Sequence, residues 1–382
     1  MIKILHLITS LDTGGAEVML QRLLTGMDHS VFENRVICLI PVGPIGEKIA
    51  AQGIPVASLA MRPGRPTLAG FIRLLQLLSK SKPDILQTWL YHADLMGLVA
   101  GRLVGLPVVW NIRAANMEMS QYHRLSSAVL KTCARLSAWP AAVIVNSVAG
   151  QKYHQHLGYH PRRWIHIPNG INVSQFRPDP DARLTLRAEL GLGVDALLIG
   201  LVARFDPMKD HLNFLLAAGL FAGRFADVHF VLVGEGVEAS NPTLKTEIER
   251  HKLTDGVHLL GRREDVSKVM AGLDIACSSS SGEGFPNVVA EAMSCGVPCV
   301  VTDAGDSAYL IGDTGIVVPP KDPQALAEGW GRMIALGAEG RKALGMAARR
   351  RIEQHFRLDT TTRQYENLYE SVVSSRSERY PR

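Results

Sequence analysis

The sequence predicts an α/β protein built from two consecutive doubly wound parallel sheets, and three observations predict it. Short apolar runs alternate with segments of helical period along nearly the whole chain, and repeating strand–helix units fold into parallel sheets covered by helices. The runs are continuously apolar and bounded by Gly or Pro, as strands buried on both faces must be. The alternation breaks once, at PNGINVSQFRPDP (168–180), whose prolines and Asn-Gly turn read as a hinge, and then restarts.

In order, the first half offers strands at 3–8, 35–40, 56–59, 85–88, 108–111, 142–146 and 164–167, with helix-period stretches such as 16–27, 68–79 and 92–104 between them. Strands follow the hinge at 197–203, 229–233, 257–260, 275–278, 297–302 and 315–318, and the tail from about Glu339 reads as two helices with a polar end at 376–382. The expected organisation is a Rossmann-like domain over 1–175, a second over 176–360, and a C-terminal helix over 361–382 that packs back on the first. Ligands of open α/β sheets sit beyond the carboxyl ends of the strands, so two facing sheets would place the chemistry in strand-to-helix loops around a central cleft.

Hydrophobic residues make up 47% of the chain and charged residues 20%, a globular composition. No apolar run approaches a membrane span, and MIKILHLITS reads as a strand rather than a signal peptide, so a cytoplasmic protein is expected. The five cysteines form no C-x-x-C pair and read as reduced thiols, with Cys295 and Cys299 in the core. Residues 1–175 hold 17 Lys/Arg against 8 Asp/Glu, a net of +9, while the remainder carries −4. A basic half on a globular chain points to an anionic partner or surface.

Four loops carry residues suited to anion and sugar binding. In LDTGGAEVML, Gly14 and Gly15 open a helix whose amides and dipole can approach an anion. In GLVARFDPMKDH, Arg204 ends a strand and Lys209 follows five residues on, a guanidinium fork and a point charge for phosphate. VLVGEGVE places Gly234 and Gly236 where backbone can approach a ligand. GEGFPNVVAEAMSCG is the most specific: Glu283 precedes a helix, Pro286 suits its first position, and the amides of Asn287 and Val288 are free donors at its positive end. Glu291, inside that helix beside alanines, is costly to bury unless it accepts defined hydrogen bonds, such as those of ribose hydroxyls. Two carboxylates would then hold two sugar rings, with a diphosphate between them.

These motifs resemble the retaining nucleotide-sugar glycosyltransferases of family four, of GT-B fold. The resemblance rests on VARFDPMKD, VGEG and above all EGFPNVVAE, whose glutamates match the family's E-x(7)-E element, with GGAE, PNG and GIVVPP in the same order. It implies that Arg204 and Lys209 bind the diphosphate and stabilise the leaving group, that Glu291 holds the ribose and Glu283 the donor sugar, and that Gly15 approaches the phosphates. It also implies a backbone contact to the base in GRR at 261–263, hence Arg263, contacts along Gly284, Phe285, Pro286, Asn287 and Val288, and a role beside the donor sugar for His92. No cofactor and no metal are expected; the donor is a nucleotide-diphosphate sugar, UDP first and GDP second, transferred with retention. Asp306, in DAGDSAYL, departs from the pattern of many relatives and bears on contacts at the donor sugar's far side.

The basic first domain is the expected acceptor side. HRLSSAVLKTCARL puts Arg124, Lys131 and Arg135 on one helix face, followed by Trp139, and RPGRP and PRRW add positive surface. Basic residues with interfacial tryptophan suit peripheral docking on the inner face of an anionic membrane, and thus a lipid-linked saccharide acceptor in surface polysaccharide assembly. Trp89, Tyr91, Trp110, Asn111 and Arg113 are placed to shape the acceptor pocket, with core packing the alternative for the two tryptophans. Nucleic acid is not expected, since no binding motif accompanies the charge. A nucleotide-sugar epimerase of the same fold and a non-catalytic sugar-nucleotide-binding protein are the alternatives; an oxidoreductase would want a G-x-G-x-x-G turn that the first loop lacks.

Overall fold

The computed structural model describes residues 1–115, 124–222 and 227–379. The chain divides into two compact units, one of Met1–Gly170 with Leu358–Arg382, the other of Ile171–Arg357. The division falls at 170/171 and 357/358, where the sequence reading had 175/176 and 360/361.

The first unit runs β1 (Ile2–Ile8), α1 (Gly15–Gly26), β2 (Phe32–Cys38), α2 (Pro44–Ala51), β3 (Val56–Ser58), α3 (Leu68–Ser81), β4 (Ile85–Trp89), α4 (Tyr91–Leu103), β5 (Val108–Ile112), α5 (Arg124–Leu136), β6 (Ala142–Val145), α6 (Val148–His156) and β7 (Trp164–His166). Its seven parallel strands lie in the order β3-β2-β1-β4-β5-β6-β7, so the order reverses between β1 and β4. Side chains of β4, β5 and β6 are buried throughout, which is why these strands read as unbroken apolar runs. Trp89 and Trp110 are fully buried, so core packing accounts for both.

The second unit runs α7 (Ala182–Leu190), β8 (Leu197–Val202), a 3-10 turn (Pro207–Lys209), α8 (His211–Ala222), β9 (Val228–Val233), α9 (Pro242–Arg250), β10 (Val257–Leu259), α10 (Val266–Ala271), β11 (Ile275–Ser278), α11 (Asn287–Ser294), β12 (Cys299–Thr302), α12 (Ser307–Ile311), β13 (Gly315–Val318), α13 (Pro323–Ala335) and α14 (Gly337–His355). Six parallel strands lie in the order β10-β9-β8-β11-β12-β13, reversing between β8 and β11. Trp330 of α13 fills the space over this sheet, edge-on to Phe214 and Phe221.

The last helix, α15 (Leu358–Arg379), belongs to the first unit. Tyr365, Leu368, Tyr369 and Val372 enter its core, and the Tyr365 ring stacks on Trp89 at 6.2 Å and 15°. Every cysteine is free and buried, and burial pushes the Cys299 thiol up to about 12. Among the described residues no helix is long and apolar enough to cross a membrane.

Candidate active site

In the second unit the loops that follow β8 and β11 flank the point where strand order reverses, the place where doubly wound sheets receive ligands. The β8 loop is shaped by Asp206, whose carboxylate accepts from the Met208 amide at 2.9 Å and so caps the 3-10 turn. The same carboxylate takes Arg204 Nε and Nη2 at 3.2 and 3.0 Å. Burial alone would raise the Asp206 pKa, but these donors hold it below the ordinary aspartate range. Arg204 stays more than half exposed.

Lys209 ends the turn and donates through Nζ to Glu283 Oε1 at 2.5 Å. Glu283 Oε1 also accepts from Ser280 Oγ at 2.7 Å. The two loops are stitched at the backbone: the Ser281 amide donates to the Met208 carbonyl at 2.8 Å, and Ser279 Oγ to the Lys209 carbonyl at 2.9 Å. Thr302 Oγ1, from the next strand, donates to the Ser280 carbonyl at 2.6 Å. The serine run thus has a task that sequence reasoning missed, which is to hold the glutamate and lysine loops in register.

A third loop closes on the same place. Gly305 has φ +57°, and a Cβ there would lie 2.1 Å from the Glu283 carbonyl oxygen, so only glycine fits. The Asp306 amide donates to the Gly284 carbonyl at 3.0 Å. Asp306 is buried against this loop.

Several site expectations change in structural detail. Pro286 is the N-cap of α11 rather than its first residue; its carbonyl accepts from Val289 and Ala290, leaving the amides of Asn287 and Val288 ahead of the first helical bond. The Phe285 ring is a core residue packed 5.6 Å from Phe356, so any ligand contact there is by backbone. Gly234 is needed because a Cβ would sit 2.1 Å from the Ala203 carbonyl oxygen, a demand of packing. The Arg263 guanidinium is engaged by Glu189 and by Asp265 at 2.7 and 2.8 Å, which raises its pKa further. Glu291 is buried in α11, as the spacing predicted. Among the described residues no group of three or more His, Cys, Asp or Glu side chains is placed to hold a metal ion.

In the first unit, Gly15 opens α1 and Gly14 precedes it. A Cβ on Gly14 would meet the Glu17 carboxylate at 2.4 Å, so this glycine makes room for an acidic side chain in the first turn as well as for any ligand. His92 is the second residue of α4, whose N-cap, Leu90, has a φ of +71°, a strained value for leucine. Its Nε2 is buried without a partner, and burial lowers its pKa, so the ring is neutral at pH 7. Tyr91 donates to or accepts from His154 Nε2 at 2.8 Å, which ties α4 to α6. On the basic face, Lys131 and Arg135 are exposed on α5, and Arg102 lies 4.6 Å over the half-exposed Trp139 ring. The Arg124 side chain lies outside the described residues.

Two successive doubly wound domains, with paired charges at the strand-order reversal of the second, define a protein of the GT-B class. Two family models match in order: Glycosyltransferase Family 4 over 13–175 and Glycosyl transferases group 1 over 196–335. The chain belongs to glycosyltransferase family four. It is 26% identical over 315 residues to EpsF of Bacillus subtilis, itself named as a candidate glycosyltransferase, with 79% of each chain covered. It is 27% identical over 254 residues to an Escherichia coli UDP-Gal:alpha-D-GlcNAc-diphosphoundecaprenol alpha-1,3-galactosyltransferase, and spans 64% of that relative's length. Solved structures of Anabaena HepE, one with UDP and one with UDP-glucose, share the fold at 24% identity; the UDP complex has a TM-score of 0.85 over 97% of this chain and 100% of that one.

Proposed function

We propose that the protein is a retaining glycosyltransferase that moves a sugar from a nucleotide-diphosphate sugar, UDP-linked first and GDP-linked second, to a lipid-linked or glycan acceptor in surface polysaccharide assembly. The observation that carries this reading is the Lys209–Glu283 pair beside Arg204, held at the strand-order reversal by three stitched loops. HepE was solved with UDP and UDP-glucose, and the Escherichia coli relative is named for UDP-galactose and a diphosphoundecaprenol acceptor; both support a diphosphate donor and the second supports a lipid-linked acceptor.

In this reading Arg204, Lys209 and the amides at the start of α11 meet the donor diphosphate, and Glu291 accepts from ribose hydroxyls. The bond from the sugar's anomeric carbon to the phosphate oxygen breaks. The acceptor oxygen bonds to that carbon on the same face, and its proton passes to the departing phosphate. Glu283 orients Lys209 and accepts from donor-sugar hydroxyls, while His92, Gly14, Gly15, Gly234, Gly284 and the backbone at Phe285 and Arg263 complete the donor contacts. Positive charge on these side chains serves in place of a bound metal.

A ligand that binds only the folded chain raises its melting temperature with concentration. A thermal-shift series with UDP, GDP, ADP and their sugar conjugates should show one nucleotide stabilising the wild type, with about a tenfold weaker response in Glu291→Ala. No shift by any sugar nucleotide at millimolar levels would sink the reading.

The basic surface of Lys131, Arg135 and Arg102 with Trp139 and the exposed Leu103 suits peripheral docking on the cytoplasmic face of an anionic membrane. Flotation with phosphatidylglycerol vesicles at low salt should carry the protein upward, and Trp139→Ala should weaken this; absence of flotation removes membrane docking and leaves the transferase reading intact.

A further inference from the structure

Arg113 is the first residue beyond β5, at the carboxyl edge of the first sheet and two strands from β1, across the reversal of strand order. Its guanidinium is hydrogen-bonded to neutral groups. Nη1 donates to Tyr365 Oη at 3.4 Å and to Asn111 Oδ1 at 3.5 Å, and Nη2 to Asn169 Oδ1. The guanidinium carbon lies 5.4 Å from the centre of the Trp89 ring. Nε is buried without a partner, and so is Oδ1 of Asn146, a 97%-buried side chain at the end of the neighbouring β6 whose amide nitrogen faces Asn169 Oδ1 at 3.5 Å. Among the described residues no carboxylate lies within ion-pair distance of Arg113.

A half-buried guanidinium with no carboxylate paired to it among the described residues is costly, and neutral hydrogen bonds recover only part of the cost. Folding alone would be served as well by an apolar residue in this place. The neutral partners instead hold the fork in one orientation at the edge where open sheets receive ligands, and leave its charge unspent. Burial pulls the Arg113 pKa down, and Tyr365 and then Glu17 in α1 offset part of that, so the group remains a cation.

We propose that Arg113 is a phosphate-binding residue of the first unit, with Asn169, Asn111 and Tyr365 positioning its guanidinium. The chemistry it fits is a phosphoryl group with two free oxygens. The proposal deepens the transferase reading and rests on it for the two sources of that group, the nucleotide diphosphate of the donor and a diphosphate-linked lipid acceptor.

The test is calorimetric titration of the full chain with UDP, with GDP and with farnesyl diphosphate, for the wild type, Arg113→Gln, Arg113→Lys and Lys209→Ala. Arg113→Gln should weaken one class of probe about tenfold or more, and Arg113→Lys, which keeps charge but loses the fork, by an intermediate factor. Loss confined to farnesyl diphosphate assigns the subsite to the acceptor; loss confined to the nucleotide assigns it to the donor. If Arg113→Gln does not fold, Arg113→Lys carries the test by the same comparison. If the Arg113 variants bind every probe as the wild type does while Lys209→Ala loses the nucleotide, the phosphate role is overturned and the transferase reading stands. If the wild type binds no probe, both fall together.

Discussion

At the carboxyl edge of the second sheet Lys209 is paired with Glu283 and Arg204 with Asp206, whereas at the corresponding edge of the first sheet Arg113 rests among amides, a phenol and an indole. The first arrangement neutralises itself. A diphosphate arriving there would have to compete with carboxylates already in place. The second arrangement keeps its charge and fixes its geometry with dipoles. The contrast teaches that a cation's partners, more than its position, decide whether a site answers a ligand by rearranging or receives it ready-made.

The largest effect expected from this contrast is at Lys209. Lys209→Ala should lower the transfer rate about 100-fold or more, measured as kcat in a product assay. It also strands Glu283, whose side chain is only 11% exposed, so the melting temperature should fall as well. Adding Glu283→Gln to that variant should restore the melting temperature and leave activity low. Recovery of both would show that the pair is structural only, and loss of neither that it serves neither role.

Next comes the loop that presses on Glu283. Gly305→Ala puts a methyl 2.1 Å from a carbonyl oxygen at a left-handed φ, and should destabilise the second unit by about 1–3 kcal/mol while raising the donor KM. An unchanged KM with a lowered melting temperature would separate the loop from donor binding.

The smallest effect is a difference in acid tolerance. His6 and His154 of the first unit and His211 of the second are each lowered by burial from 6.5 to about 4. Between these values the unfolded chain binds more protons, so the stabilisation is complete above about pH 6.5 and is lost as pH falls through about 4. At pH 6 each of these three groups costs about 1 kcal/mol; burial also lowers His92 in the first unit and His258 in the second, so the first unit should lose more than the second. Hydrogen exchange resolved by segment would read this, and equal losses in the two units would contradict it.

Much of this was legible in sequence because buried parallel strands announce themselves. All thirteen expected strands form, and the edges are what moved: β2 starts at Phe32 rather than at 35, because Glu33 and Asn34 hide its first residues, and β12 at Cys299 rather than at 297. The two loops of Arg204 with Lys209 and of Glu283 were visible because glycine, proline and charge coincide at strand ends. What was not visible depends on partners far away in the chain. The Lys209–Glu283 pair joins residues 74 apart, and the contact of Arg113 with Tyr365 spans 252. No local pattern separates the Phe285 ring, which enters the core, from the glutamate two residues before it, which does not.

The return of α15 to the first unit has a consequence for the making of the protein. Residues 171–357 form a compact unit from one continuous stretch, so that unit can complete itself as soon as its last helix leaves the ribosome. The first unit cannot. Tyr365 and Tyr369, which fill its core and the first of which holds Asn111 and Arg113 in place, are synthesised after the whole of the second unit. The half of the molecule that is translated first is therefore finished last, and until then its sheet waits with a tyrosine-shaped gap and an arginine without its phenol.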